Sequence, residues 1–256
     1  MIISDKAWDK YIALLRRINE KASDEMSKYL RLNEWYLNRE TQQAAIDFAF
    51  ALSERYGEAA AEAACEFYDI IAEEWARNVL KPAVPAATPT YQEVAKTFNG
   101  ILKTSQNEEL LSSAVGRLVK QTGQDTTLKN ALRDGAEFAW IPRGDTCVFC
   151  LSLASRGWQT MSTKALKNGH AEHIHSNCDC AYAIRFSEND GVQGYDPEVY
   201  LKLWNSAEGD NSKEKLNYLR REAYAANRER INAQKRDAYA KSKALESSEA
   251  EEIDVK

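Results

Sequence analysis

Residues that can bind a metal are concentrated in one stretch of the chain, between Trp140 and Phe186. Four of the five cysteines and all three histidines lie there, namely Cys147, Cys150, Cys178, Cys180, His170, His173 and His175. A Cys-x-x-Cys pair, followed after a loop by His-x-x-Cys-x-Cys, is the spacing typical of a tetrahedral zinc site, because each short-spaced pair can turn two ligands toward one ion. The stretch therefore predicts a bound Zn²⁺ that closes the loop between the two pairs.

The stretch contains more ligands than a closed zinc site needs. Cys147, Cys150 and Cys178 are the predicted core of the site, and the fourth ligand is either His175 or Cys180. The other two histidines are interpreted as loop residues. Because four protein ligands are at hand, no position has to stay open for water, and the zinc is predicted to be structural.

Two other interpretations of the cysteines, a disulfide framework and a redox pair, compete with zinc. A disulfide framework is typical of secreted chains, and the N-terminal sequence MIISDKAWDK has no signal-peptide pattern. A redox Cys-x-x-Cys is expected next to a βαβ pattern, which is not seen around Cys147 and Cys150. It would also leave the distal ligands without a role, so zinc explains more of the stretch than either alternative.

Three runs of residues around these cysteines carry a family resemblance: DTCxFC at 145–150, LASRG at 153–157 and HxxCDC at 175–180. Together they resemble the signature of phage Mu F-like minor head proteins, closest to the branch found in tailed phages of actinobacteria. The resemblance implies a minor capsid protein inside the procapsid near the portal, acting in head assembly or in DNA packaging and ejection. It implies the portal protein, the major capsid protein or both as partners, with packaged DNA as a further possibility. The expected location is the virion interior, and the host cytoplasm during assembly.

Composition favours a helical protein that is not a general nucleic-acid binder. Ala, Glu, Leu, Lys and Arg dominate, β-branched runs are scarce, and glycine and proline are few. The net charge of −5 argues against nucleic-acid binding by the whole chain. No apolar run approaches the length of a membrane span, so no membrane partner is expected.

The predicted architecture is mainly α, with a helical N-terminal region, a small zinc-stapled α+β module and a long C-terminal helix. The expected divisions are a helical region at 1–81, a Pro-rich linker at 82–90, a second helical region at 91–139, the zinc module at 140–187, a helical extension at 188–245 and an acidic disordered tail at 246–256. Within them the apolar spacing predicts helices at 4–37, 41–57, 58–81, 90–104, 107–122, 126–138 and 212–245, and a strand at 181–186.

The long C-terminal helix has an uneven charge. Ten Lys and Arg against four Asp and Glu leave about +6 over residues 211–245, and the residues that follow carry about −4. Three interpretations stay open, namely a solvated helix, a helix that docks on a partner and a helix that faces DNA.

No catalytic motif stands out in the sequence. There is no phosphate-binding loop, no dinucleotide glycine pattern, no Gly-x-Ser-x-Gly and no His-Glu-x-x-His, so the chain is not expected to be an enzyme. The alternative is a zinc-dependent nuclease or DNA-processing protein, since Glu172 and Asp179 lie near the histidines. A third interpretation is a zinc-ribbon binding module.

Overall fold

A computed structural model describes residues 2–76, 81–105, 107–143, 147–160 and 180–253 of the chain. The chain divides into two compact units, Met1–Leu201 and Lys202–Lys256. The helices in the described residues are α1 (Asp5–Leu32), α2 (Arg39–Trp75), α3 (Tyr91–Thr104), α4 (Glu108–Asp134), α5 (Val148–Ala154), α6 (Pro197–Ser206) and α7 (Ser212–Ile253). The strands are β1 (Ile2–Ile3), β2 (Glu137–Ile141), β3 (Gln159–Thr160), β4 (Ala181–Arg185) and β5 (Gly191–Val192). The prediction of a mainly α fold is confirmed.

Helix α1 forms where the sequence predicts an amphipathic helix. Ser4 caps its start, because the Ser4 hydroxyl accepts a hydrogen bond from the Ala7 N–H at 3.3 Å. Its buried residues recur at three- and four-residue spacing and are Trp8, Tyr11, Ile12, Leu15, Asn19, Ala22, Met26 and Leu30. The helix ends at Leu32 rather than near residue 37, because Asn33 adopts an extended backbone and bonds back to the Tyr29 carbonyl.

Helices α2 and α4 are each continuous where the sequence predicts two shorter helices. Gly57, predicted as a helix end, lies inside α2, and a Cβ on it would lie 3.1 Å from Thr88 and 3.2 Å from Thr122. A Cβ on Gly123 of α4 would lie 3.2 Å from the backbone oxygen of Ala60 in α2. Both glycines therefore serve close packing between helices rather than helix termination, which local sequence signals cannot distinguish.

The Pro-rich segment 81–90, called the strap below, lies inside the first unit, as do residues 139 and 187. Side chains of α2 and α4 form hydrogen bonds with its backbone. The Asp69 carboxylate of α2 accepts from the Ala83 N–H at 2.7 Å, and the Thr126 hydroxyl of α4 accepts from the Ala86 N–H at 3.0 Å. Also from α4, the Asn130 amide bonds both backbone groups of Val84, and Arg133 donates to the carbonyls of Lys81 and Pro82 at 2.8 Å. Prolines keep the strap out of a helix, so its backbone groups take helix side chains as partners instead.

A three-stranded antiparallel sheet of order β3-β2-β4 packs against the helices. Strand β4 confirms the strand predicted at 181–186. Phe138 and Trp140 belong to one buried cluster, whereas the alternate residues Ala139 and Ile141 belong to the main helical core. Since both faces of the sheet are buried here, residues 138–141 of β2 and 181–184 of β4 are apolar or aromatic. A separate parallel pair joins β1 to β5, with Ile2 opposite Gly191.

The C-terminal unit contains the end of α6 and all of α7. Lys215 of α7 lies over the Trp204 ring at 5.9 Å, and Leu219 is buried. Helix α7 extends to Ile253, whereas the sequence predicts a disordered tail from residue 246. The helix carries no proline or glycine over this length, so nothing in the local sequence stops it. Among the described helices, none combines the length and the apolar character needed to cross a bilayer.

Candidate metal-binding site

The sheet brings two distant parts of the cysteine stretch together. Ile141, at the end of β2, pairs with Ala181, at the start of β4. Cys180 therefore lies beside the segment that leads to Cys147. The Cys180 thiol contacts the Arg143 carbonyl oxygen at 4.0 Å, the arrangement of a weak S–H donor.

The first cysteine pair forms the start of α5. Cys147 is the N-cap of this helix, and its sulfur accepts a hydrogen bond from the Cys150 N–H at 3.4 Å. The Cys147 carbonyl accepts the first helical bond, from the Leu151 N–H at 3.0 Å. An N–H donated to sulfur favours the thiolate, which is the form that binds metals. The local structure of the pair thus fits the chemistry of a metal ligand.

A small apolar cluster surrounds the described cysteines. Cys150 and Cys180 are fully buried in it, and Cys147 is partly buried at its edge. The other members are Leu128, Leu132, Phe138, Trp140, Phe149, Leu153 and Tyr182. The Trp140 and Tyr182 rings meet edge to face at 4.7 Å, and Phe138 meets Tyr182 at 5.4 Å. Trp140 is therefore a packing residue of the cysteine region.

The five predicted ligands are only partly within the described residues. Cys147, Cys150 and Cys180 come together in the apolar cluster, whereas His175 and Cys178 lie outside the part of the chain that the structure describes. Within the described part, no three His, Cys, Asp or Glu side chains are arranged to hold a metal ion. The fifth cysteine, Cys65, lies on α2 away from the site, and burial raises the pKa of its thiol.

The family of the chain follows from a comparison that covers both the helices and the cysteine region. The family model described as VG15 protein matches residues 2–207 of the 256. The chain belongs to the VG15 protein family. This family is viral and phage-related. No curated protein and no solved structure matches the chain at a significant level.

The VG15 region contains long-range contacts around the cysteines that sequence reasoning missed. The Arg143 guanidinium forms an ion pair with the Asp5 carboxylate at 2.7 Å and lies 3.6 Å from that of Asp9. These contacts join the residues that precede Cys147 to the start of α1. The Tyr195 hydroxyl donates to the Ala154 carbonyl at 2.9 Å and so holds the end of α5. Asp5 and Arg143 are 138 residues apart, and no local pattern links them.

A second pair of contacts steadies the sheet of the VG15 region. Arg185 forms an ion pair with Glu137 across β4 and β2 at 2.6 Å. The Arg185 guanidinium also lies over the Trp158 ring, 4.9 Å from its centre. Arg185 thus joins three parts of the chain, namely β2, β4 and the segment leading to β3.

Proposed function

We propose that this chain is a minor capsid protein that acts in phage head morphogenesis, inside the procapsid near the portal. Membership in a phage-related family over residues 2–207 supports this proposal most directly. The resemblance of the runs at 145–157 and 175–180 to the Mu F-like signature supports the finer assignment. The role proposed is structural, with no catalytic activity of its own.

The proposed site holds one structural Zn²⁺ on Cys147, Cys150, His175 and Cys178. The hydrogen bond from the Cys150 N–H to the Cys147 sulfur supports the role of the first pair, because it stabilises a thiolate. The contact of the Cys180 thiol with the Arg143 carbonyl supports a different role for Cys180, that of a protonated thiol in the apolar cluster. His175 is therefore the proposed fourth ligand.

Bound zinc would act as a cross-link. It would join the turn at Cys147 to the segment that precedes β4, and so fix the loop between them. The described parts on either side are already held by β2 and β4 and by the contacts of Arg143 and Arg185. Zinc in this role contributes to folding of the module and takes no part in a reaction.

The proposed partners are the portal protein and the major capsid protein. The test is co-expression of the chain with both proteins of its own phage, followed by purification of the assembled heads. We expect the chain to co-purify with heads that contain portal, and to be reduced in heads assembled without it. Heads that form normally and contain none of the chain would contradict the proposal.

The nuclease alternative is tested on the same purified protein. Plasmid DNA incubated with the zinc-loaded chain and added Mg²⁺ or Mn²⁺ should stay intact. Cleavage that is lost on substitution of Glu172 by Gln would replace the structural proposal with an enzymatic one.

A further inference from the structure

The turn that begins α5 brings two thiols together. Cys147 directly precedes the helix and Cys150 is its third residue, and the Cys150 N–H donates to the Cys147 sulfur at 3.4 Å. The Leu151 N–H donates to the Cys147 carbonyl at 3.0 Å, which closes the first helical turn around the pair. Residues three apart on such a turn have Cα atoms about 5 Å apart, within the range of about 4.4–6.8 Å found in disulfides. The turn therefore allows a disulfide between these cysteines with little movement of the backbone.

The two thiols differ in their access to solvent. Cys147 is partly exposed at the edge of the apolar cluster, whereas Cys150 is 1% exposed inside it. A dissolved oxidant therefore meets Cys147 first, and Cys150 lies one helical turn behind it. An accessible thiol with a second thiol close behind is the arrangement of redox-sensitive cysteine pairs, because the second sulfur can displace an oxygen added to the first.

The other two cysteines in the described residues are placed differently. Cys180 is fully buried, and its thiol contacts the Arg143 carbonyl at 4.0 Å. Cys65 lies on α2, outside the cluster that contains the other three. Burial raises the pKa of the Cys65 thiol, which slows its oxidation because the thiolate is the reactive form. Of the described cysteines, Cys147 and Cys150 are thus the pair whose arrangement suits oxidation.

We propose that Cys147 and Cys150 form a redox switch, in which hydrogen peroxide closes a disulfide between them and removes two ligands from the zinc site. The zinc in this inference rests on the proposed function, whereas the disulfide rests on the geometry of the turn alone. A disulfide sulfur is no longer a thiolate, so it cannot serve as a metal ligand.

The reaction has two steps. The peroxide O–O bond breaks as one oxygen is transferred to the Cys147 sulfur, which gives a sulfenic acid and one molecule of water. The Cys150 sulfur then attacks the Cys147 sulfur, forms the S–S bond and expels the oxygen as a second water. Two electrons pass from the sulfurs to the peroxide, and the two thiol protons leave in the water molecules.

The proposed function supplies both states of the switch. A chain that assembles in the host cytoplasm and leaves in the virion passes from reducing to oxidising surroundings. The pair would be reduced and bound to zinc while heads assemble, and it would be oxidised in released particles. Oxidation would then remove the zinc cross-link between the start of α5 and the segment that precedes β4.

The test uses the full chain, purified with zinc and treated with hydrogen peroxide. The remaining thiols are alkylated, and the tryptic peptides are measured by mass spectrometry. Both cysteines of the pair lie in the peptide 144–156, whereas Cys178 and Cys180 lie in the peptide 168–185. We expect 144–156 to escape alkylation and to become lighter by two hydrogens, in step with the release of zinc to a chromogenic chelator. Dithiothreitol should reverse the disulfide.

The other cysteines supply the controls. Cys150→Ser should form no disulfide, and dimedone, which labels sulfenic acids, should label Cys147 in this variant. Cys180→Ala should form the disulfide as the native chain does. Cys65 should still be alkylated in native protein whose peptide 144–156 is fully oxidised.

Three results would overturn the proposal. They are a peptide 144–156 whose thiols stay open to alkylation after peroxide, a disulfide that joins this peptide to 168–185, and zinc that stays bound once the disulfide has formed. Protein that contains no zinc before oxidation would instead contradict the proposed metal site, and the mass of 144–156 would still decide whether the redox pair exists.

Discussion

Asn130 of α4 and Val84 of the strap exchange two hydrogen bonds. The Asn130 amide oxygen accepts from the Val84 N–H, and its amide nitrogen donates to the Val84 carbonyl, each at 2.9 Å. The same nitrogen donates to the Thr126 carbonyl at 2.8 Å. Asn130 is fully buried, so every hydrogen-bonding atom of its amide has a partner without water. This residue holds the middle of the strap against the helix.

We expect Asn130→Ala to destabilise the protein by about 2 kcal/mol, because it removes these bonds and leaves the Val84 groups without partners. Urea unfolding measures the loss, and amide hydrogen exchange at Val84 should accelerate. Asn99→Ala, on the exposed face of α3, is the control and should change stability by less than about 0.5 kcal/mol. Equal effects from the two substitutions would mean that the strap is not held by Asn130.

Two helical glycines should respond to alanine with opposite signs. Gly100→Ala should stabilise the protein by about 0.5–1 kcal/mol, because a Cβ there meets nothing within 4 Å and alanine favours the helix. Gly123→Ala should destabilise it by about 1–3 kcal/mol, since the new Cβ would lie 3.2 Å from the backbone oxygen of Ala60. Thermal unfolding of the two variants checks the signs. Stabilisation by both would contradict the close packing of α2 on α4.

A third helical glycine, Gly57, shows why the sequence predicts the buried faces of the helices better than it predicts where the helices end. Spacing alone predicts the buried stripe of α1 and the strand β4, because both depend on residues close in the chain. Gly57 has the local signal of a helix end, yet its role is set by Thr88 and Thr122, which lie far away in sequence. The sequence predicts a linker at 82–90 for the same reason, since two partners of the strap, Thr126 and Asn130, follow forty or more residues later.

The candidate site was predicted from residue types, and its surroundings were not. The Cys-x-x-Cys spacing placed Cys147 and Cys150 in one turn, as the structure has them at the start of α5. The ion pair of Arg143 with Asp5 has no signal in spacing or composition, because it depends on how α1 packs near the end of β2.

The zinc proposal predicts different outcomes for two cysteines. Purified protein should contain about one zinc per chain, and Cys147→Ala should lose it and unfold the module. Cys180→Ala should keep the zinc and destabilise the protein only modestly, because the structure places this thiol in an apolar cluster against a carbonyl. Metal analysis by mass spectrometry measures both.

The fourth ligand is tested in the same series. His175→Ala should release much more zinc than His170→Ala, which serves as the matched control. If Cys180→Ala loses the metal and His175→Ala retains it, the fourth ligand is Cys180. Zinc-free protein prepared without chelators would falsify the metal site altogether.

Stability should fall as the pH rises above about 10, the usual pKa of tyrosine. Burial raises the pKa of Tyr11, and burial together with the hydrogen bond to Asp134 raises that of Tyr68. The unfolded chain releases these protons near pH 10 while the folded chain retains them, so unfolding is favoured as pH increases. For each such tyrosine, the free energy of unfolding falls by about 1.4 kcal/mol per pH unit above 10, until the pH reaches the pKa of that tyrosine in the folded chain.

Urea unfolding at several pH values between 9 and 11.5 measures this slope. Tyr68→Phe should reduce it by the contribution of one proton, because burial raises the pKa of Tyr68 in the folded chain. Absorbance at 295 nm should show fewer than the 12 tyrosines ionising before the protein unfolds. Identical slopes for the native chain and Tyr68→Phe would mean that Tyr68 titrates normally.

The last prediction concerns α7, which lies outside the region matched by the VG15 family. The charge of about +6 over residues 211–245 suits either DNA phosphates or an acidic protein surface. We expect docking on protein, because the whole chain is acidic and the residues after 245 carry about −4. Truncation after Ala207 should leave the first unit folded and abolish incorporation into heads.

Tyr224→Ala should reduce incorporation without a change in stability, because this exposed ring can contact a partner and supports no core. Arg221→Ala, on the same exposed stretch of the helix, is the control for charge and should have a smaller effect. Docking through Tyr224 should change little between low and moderate ionic strength, whereas DNA binding would weaken steeply, because each neutralised phosphate releases counterions. Normal incorporation of the truncated chain would show that α7 is a solvated helix with no part in assembly.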